Sequence, residues 1–185
     1  ISNRSTSILK LKENITLKSC IICEENSYLY IVSDIGRIIK IKITKNNFPF
    51  MGKLAQGTSI IKLFPGENII KALSFQEEQN KDLVLITNKG TFVKHATQEI
   101  NISKKGSLGT MGIHFKTNKN MKDKVINCFI NNKYIYLKTD QERYEKLKTD
   151  YIDSSSYKKE KKINIDLKNN EFIKSSFSMI IPEKD

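Results

Sequence analysis

The chain has 185 residues, 38% of them hydrophobic, and carries 32 Lys and Arg against 20 Asp and Glu, a formal net charge of +12. That is enough apolar material for a real core, yet no apolar run approaches the roughly 18 residues that span a bilayer as a helix. Residues 1–20 also lack the long apolar stretch of a secretory leader.

The first recognisable element begins at Leu9, "LKLKENITLKSCI", and is followed by "VSDIGRIIKIKI" at residues 32–43. Short runs with period-two alternation, separated by Asn, Asp, Gly and Lys clusters, predict strands at 9–11, 16–23, 28–33 and 37–44. Asp34-Ile35-Gly36 is the expected hairpin turn. In "RIIKIKI" the isoleucines are expected to face a neighbouring sheet, with Arg37, Lys40 and Lys42 facing solvent or a ligand.

Further along, the same rhythm returns as "ITNKGTFVKHAT" at 86–97 and "KTDQERYEKLKT" at 138–149. The leading strand returns as "IKLFPGENIIKAL" from Ile61, "IHFKTNKNMKDKVI" from Ile113 and "IDLKNNEFIKSSF" from Ile165, so that Leu11, Leu63, Phe115 and Leu167 recur every 52 residues. A fixed period of this length marks an array whose units cannot bury their apolar faces alone. The expected organisation is one composite all-β domain over 1–185, with units at about 8–59, 60–111 and 112–163 and a partial fourth at 164–185. Four strands per unit make a blade, and stacked blades make a propeller-like array. A parallel β-solenoid, the alternative, has shorter coils and no need of hairpin turns. The chain opens on Ile1, and the fourth unit stops after "SSFSMIIPEKD" without its second hairpin, so both ends are expected to be cut from a longer chain.

Charge is unevenly placed. Residues 1–132 hold 20 basic and 10 acidic side chains, whereas 133–185 are nearly balanced with 12 and 10. A basic face on a rigid scaffold attracts polyanions by counterion release, without reading bases. Lys, Asn and Ile make up roughly two-fifths of the chain, and such a bias alone scatters lysine over any surface. The connectors between units argue for more: "TKNNFPFMGKLAQGTS" (44–59), "TQEINISKKGSLGTMG" (97–112) and "TDYIDSSSYKKEKKI" (149–163) carry lysine in corresponding places, with glycine in the first two. Lysine supplies a mobile point charge suited to phosphate, and glycine lets backbone approach a ligand.

Other chemistry is sparse. Cys20 and Cys23 form a C-x-x-C, but strand positions three apart point to opposite faces, so they and Cys128 read as small core residues rather than metal ligands. His95 and His114 lie in different strands, as partly exposed residues and not as general bases. Tyr28, Tyr30, Tyr134 and Tyr136 alternate within strands and read as cross-strand packing.

The stretches "YLYIVSDIGRIIKIKITKNNFPFMGKLAQGTSIIKLFPGENIIKAL" and "LVLITNKGTFVKHATQEINISKKGSLGTMGIHF" resemble the C-terminal domain of the A subunit of DNA gyrase, a type IIA topoisomerase. The match is carried by Ser33-Asp34-Ile35-Gly36-Arg37, by Thr87-Asn88-Lys89-Gly90, and by Ala55-Gln56-Gly57-Thr58, which is similar to plastid and cyanobacterial forms of the loop. It fades after Phe115, with Glu142 in place of the turn glycine. The family's Q-R-R-G-G-K-G heptad aligns its last four places on Ile1-Ser2-Asn3-Arg4, where no glycine stands.

This resemblance implies a β-pinwheel whose basic rim bends and wraps duplex DNA, in support of ATP-dependent supercoiling. It implies no catalytic residue, metal site or cofactor in this segment. ATP and magnesium belong to the holoenzyme, and a gyrase B subunit and a second A subunit are partners through other parts of the chain. The DNA contacts expected are Arg4, Arg37, Lys40, Lys42, Lys45, Lys53, Lys94, Lys104, Lys105, Lys158, Lys159, Lys161 and Lys162, with Lys53, Lys104 and Lys105 contributing most. Localisation in a relict plastid is expected from the AT-rich composition and the loop, with a bacterial cytoplasm as the alternative. The competing function is a propeller that binds an acidic protein, since fold alone does not choose.

Overall fold

The computed structural model describes residues 7, 9–76, 81–115, 123–130, 133–151 and 163–178. The fold is all-β, built from antiparallel sheets of three or four strands stacked as in a propeller. Three hairpins form its frame: β1 (Tyr28–Ser33) with β2 (Arg37–Lys42), β4 (Asp82–Thr87) with β5 (Thr91–Ala96), and β8 (Tyr134–Thr139) with β9 (Tyr144–Lys148). Each is rich in β-branched and aromatic residues on alternating faces, and each closes on the turn expected from sequence.

The third strand of every sheet arrives from the following unit. β3 (Ile69–Phe75) pairs with β1, β7 (Val125–Ile130) with β4, and β11 (Ile173–Ser178) with β8. A fourth, two-residue strand comes from further on: β6 (Thr110–Met111) pairs with β2, and β10 (Ile163–Asn164) with β5. Strand order in the first sheet is therefore β3-β1-β2-β6. Sequence reading assigned four consecutive strands to one blade, and this exchange corrects it. Residues 9–11 and 16–23 are not strands: their register matches β3, whose kind joins the hairpin on its N-terminal side, and among the described residues they have no such hairpin. Cys20 and Cys23 are accordingly exposed rather than in a core, while Cys128 is fully buried. Burial pushes the Cys128 thiol up to about 12, which leaves it protonated and inert.

Stacking buries both faces of the middle sheet. Tyr30, Val32 and Ile38 of the first sheet pack on Leu83, Leu85, Val93 and Cys128 of the second. The second sheet's other face, with Val84, Ile86, Phe92 and Phe129, packs on Ile135, Leu137 and Ile173 of the third. Tyr30 stacks on Phe75 at 4.5 Å between ring centroids, and Tyr136 on Phe177 at 5.4 Å, so the tyrosines do serve cross-strand packing.

The turns latch the exchanged strands. Ser33 Oγ accepts from Arg37 N at 3.2 Å, and Thr87 and Thr139 hydroxyls do the same for Thr91 and Arg143. One residue on, Asp34 Oδ1 accepts from Asn68 N at 2.9 Å, Asn88 Oδ1 from Lys124 N at 2.8 Å, and Asp140 Oδ1 from Phe172 N at 2.9 Å. Those three donors stand immediately before β3, β7 and β11.

Gly36 adopts φ +82° and Gly90 φ +78°. At Gly36 a Cβ would lie 2.1 Å from Ile113 Cγ2, because Gly112 N bonds to the Gly36 carbonyl and draws the following residue over the turn. Glu142, at the third turn, keeps the same left-handed backbone with φ +60°, so the turn survives without its glycine.

Gly36→Ala is expected to lose roughly 2–5 kcal/mol, summing left-handed strain and overpacking. Glu142→Gly, relieving the same strain while freeing the unfolded chain, should stay within about 1 kcal/mol of the parent. Urea denaturation of the two variants checks the contrast.

Candidate nucleic-acid interface

Two residues expected at the surface are inside. β2 is covered on both faces, so its alternation does not separate a wet side from a dry one. Ile38, Lys40 and Lys42 share one face, while Arg37 shares the other with Ile39 and Ile41. The Arg37 guanidinium donates through Nε to Glu67 Oε1 at 2.8 Å and through Nη2 to Glu67 Oε2. It also donates to the carbonyls of Leu108 at 2.5 Å and Lys62 at 2.8 Å, and it lies 4.5 Å from the Phe64 ring centroid. Side chains of Arg37 and Glu67 are 4% and 1% exposed. Burial raises the Glu67 carboxyl, but hydrogen bonds from Arg37, the Phe64 backbone and Ser33 outweigh it and hold the group below its ordinary value.

The third sheet repeats this plug: Arg143 donates to both oxygens of Glu171 at 3.0 and 2.8 Å and to the Asp166 carbonyl at 3.1 Å. Arg143 above all, with Thr139, holds the Glu171 carboxyl down to about 2. In the middle sheet Thr91 and Asp123 stand at the matching places. The acidic partners at Glu67 and Glu171 were legible in the sequence as recurring residues, and only their pairing was not.

Lys40 is also buried. Its Nζ donates to the Thr97 carbonyl at 2.9 Å, and its ammonium lies 4.8 Å from the Tyr28 ring centroid and 5.9 Å from that of Tyr30. Lys94 is half-buried and bridges to Asp82 at 3.1 Å. His95, expected to be partly exposed, is buried beside the Gly112 carbonyl, at 2.5 Å from Nε2. His114 is exposed and lies outside the strands.

Of the cations expected as contacts, the exposed ones among the described residues sit at the strand end and on the connectors. Lys42, Lys45, Lys53 and Lys104 are exposed, with Lys45 3.9 Å from Glu25. Lys105 is half-buried and clasps the first connector: its Nζ donates to the Asn47 carbonyl at 2.7 Å, and it lies 5.8 Å from the Phe48 ring centroid. The same segment grips the connector's other end, with Gly106 N donating to Ile60 O at 2.7 Å and Lys62 N to Ser107 O at 3.0 Å. Connectors 44–59 and 97–112 are thus held side by side. Between Thr44 and Gly66 and between Ile100 and Lys122 the sequence contains no Asp or Glu, so the acids near these connectors are Glu99 at the start of the second and Glu25 beside Lys45. Arg4, Lys158, Lys159, Lys161 and Lys162 lie outside the described residues.

Residues 27–76 and 81–132 match the family described as DNA gyrase C-terminal domain, beta-propeller. This chain belongs to that gyrase family. Solved structures agree on the fold. The C-terminal domain of a DNA topoisomerase IV superposes with TM-score 0.78 at 17% identity, covering 92% of this chain and 52% of that one. A DNA gyrase A C-terminal domain gives 0.64 at 14% identity, covering 86% and 51%, and the E. coli ParC C-terminal domain gives 0.65 at 16%, covering 96% and 72%. The chain spans about half the length of the first two. No curated protein sequence matches it. In this gyrase-family domain, among the described residues, no helix is long and apolar enough to cross a membrane, which says nothing of strands.

Arg37→Ala leaves Glu67 buried without its cation and is expected to cost about 3–5 kcal/mol in urea denaturation. Glu171, lowered to about 2 in the fold and near 4.3 when unfolded, contributes stability that is present above the unfolded value. That contribution is lost as pH falls from there toward the folded value. Denaturation midpoints measured at pH 5, 3 and 2 should therefore fall less steeply in Glu171→Gln than in the parent.

Proposed function

We propose that this domain binds, bends and wraps duplex DNA without sequence preference, as part of a gyrase A subunit that supports ATP-dependent supercoiling. The observation that carries the reading is the clasp between the two connectors, whose exposed Lys53 and Lys104 belong to stretches free of Asp and Glu from Thr44 to Gly66 and from Ile100 to Lys122, in a chain with net charge +12. Stiff DNA costs on the order of 1–6 kcal/mol to bend over a site of 20–30 base pairs, and phosphate contacts with counterion release offset it. With Arg37 engaged internally, those contacts fall to lysine, a point charge rather than a fork.

In the holoenzyme, ATP is hydrolysed by the B subunit and magnesium is held outside this segment, and the partners are that B subunit and a second A subunit. Residues 1–185 make one composite β-pinwheel domain of three 52-residue repeats and a partial fourth. A plastid location fits the composition and the Ala55-Gln56-Gly57-Thr58 loop.

Replacing Lys53, Lys104 and Lys105 together by Glu is expected to abolish retardation of duplex DNA. Because Lys105 also holds the first connector, the cleaner variant is Lys53→Gln with Lys104→Gln. It should weaken binding to all sequences alike and reduce the slope of log K against log salt by about 2. Unchanged retardation, or tight binding to an acidic protein with indifference to DNA, counts against the proposal.

A further inference from the structure

Phe50 is 94% exposed, the most exposed large hydrophobic residue among the described residues of the connectors. A single exposed apolar residue is ordinary on a protein surface, but this one sits on a fixed stem. Phe48, two residues before it, packs against the core beneath β2 with Ile41 and Ile61, and the Lys105 ammonium lies over its ring while donating to the Asn47 carbonyl. Pro49 stiffens the link between them. Beyond Phe50, Met51 is 46% exposed, and a turn closed by Ala55 N to Gly52 O at 3.3 Å puts Lys53 at its corner. Leu54 completes that turn with φ 65° and is 52% exposed, a left-handed backbone that Leu rarely adopts. The tip of the first connector is thus an apolar point held out from the core and flanked by cations.

Resting on the reading of this edge as a DNA track, we infer that Phe50 is a wedge that enters a base step of the bound duplex and kinks it. Apolar side chains inserted between base steps bend DNA by about 20–90° and open the groove to more protein contact. The occupant is a base step because the residues around the tip are cationic and acid-free from Thr44 to Gly66, which matches a polyanion carrying an apolar interior. Insertion is favoured at pyrimidine–purine steps, whose stacking yields most easily, so the wedge adds a shape preference to otherwise sequence-indifferent binding.

The test uses duplexes carrying 2-aminopurine at TA steps and a fluorophore pair at the ends, with the chain itself, Phe50→Ala, Phe50→Leu and Lys53→Gln/Lys104→Gln. The parent chain is expected to raise 2-aminopurine fluorescence and shorten the end-to-end distance. Phe50→Ala should abolish both signals while weakening retardation by no more than about tenfold, and Phe50→Leu should keep them. Lys53→Gln/Lys104→Gln should weaken binding, with both signals restored at saturating protein. Equal unstacking by the parent chain and Phe50→Ala overturns the wedge, as does retardation by the parent chain without unstacking, the latter leaving the DNA-binding reading intact. Failure of the parent chain to retard any duplex overturns both.

Discussion

At the tip of each of the three hairpins, three residues hold two parts of the chain that lie far apart in sequence. The Ser or Thr hydroxyl closes the turn on itself, the next Asp or Asn side chain receives the backbone N–H that precedes an incoming strand, and the left-handed residue lets the chain reverse. The carbonyls serve as well: Asp34 O accepts from Val125 N at 2.8 Å and Asn88 O from Ile173 N at 2.8 Å, so the first two turns are each bonded to a strand of the following sheet. Without that latch the exchanged strand has no anchor at its start, and without the exchanged strand each hairpin is a two-stranded ribbon, marginal in water.

Strand exchange makes the stack cooperative. Because β3, β7 and β11 leave one unit to complete another, a blade cannot come loose without breaking a ladder as well as an apolar interface. Ionic plugs, buried at Arg37–Glu67 and half-buried at Arg143–Glu171, tie hairpin and loop together in the first and third sheets. They place few demands on solvent, since each guanidinium also meets a backbone carbonyl.

The division of cations follows from the same packing. Charges inside the stack are neutralised or solvated by the protein: Arg37 by Glu67, Lys94 by Asp82, Lys40 by a carbonyl and two tyrosine rings. Of the described cations expected to meet a polyanion, Lys42, Lys45, Lys53 and Lys104 stay exposed, at the end of β2 and along the clasped connectors. Lys105 spends its charge on the clasp itself and so supports the edge rather than lining it.

Period, hairpins, turn glycines and family were all legible in the residues, because each rests on local chemistry: alternation, Asx and hydroxyl side chains at turns, a glycine where φ is positive. Even the fading of the pattern at Glu142 was visible, though not that its backbone stays left-handed. The fate of Arg37 and Lys40 was not, nor the exchange of strands. Alternation says which side chains share a face, but it carries no information about whether another sheet lies on that face. It is equally silent on which hairpin a strand joins, since every unit offers the same edge. Those two matters are decided only when blades stack, where covering β2 from both sides turns apparent surface cations into interior ones and leaves Phe50 and the connector lysines outside.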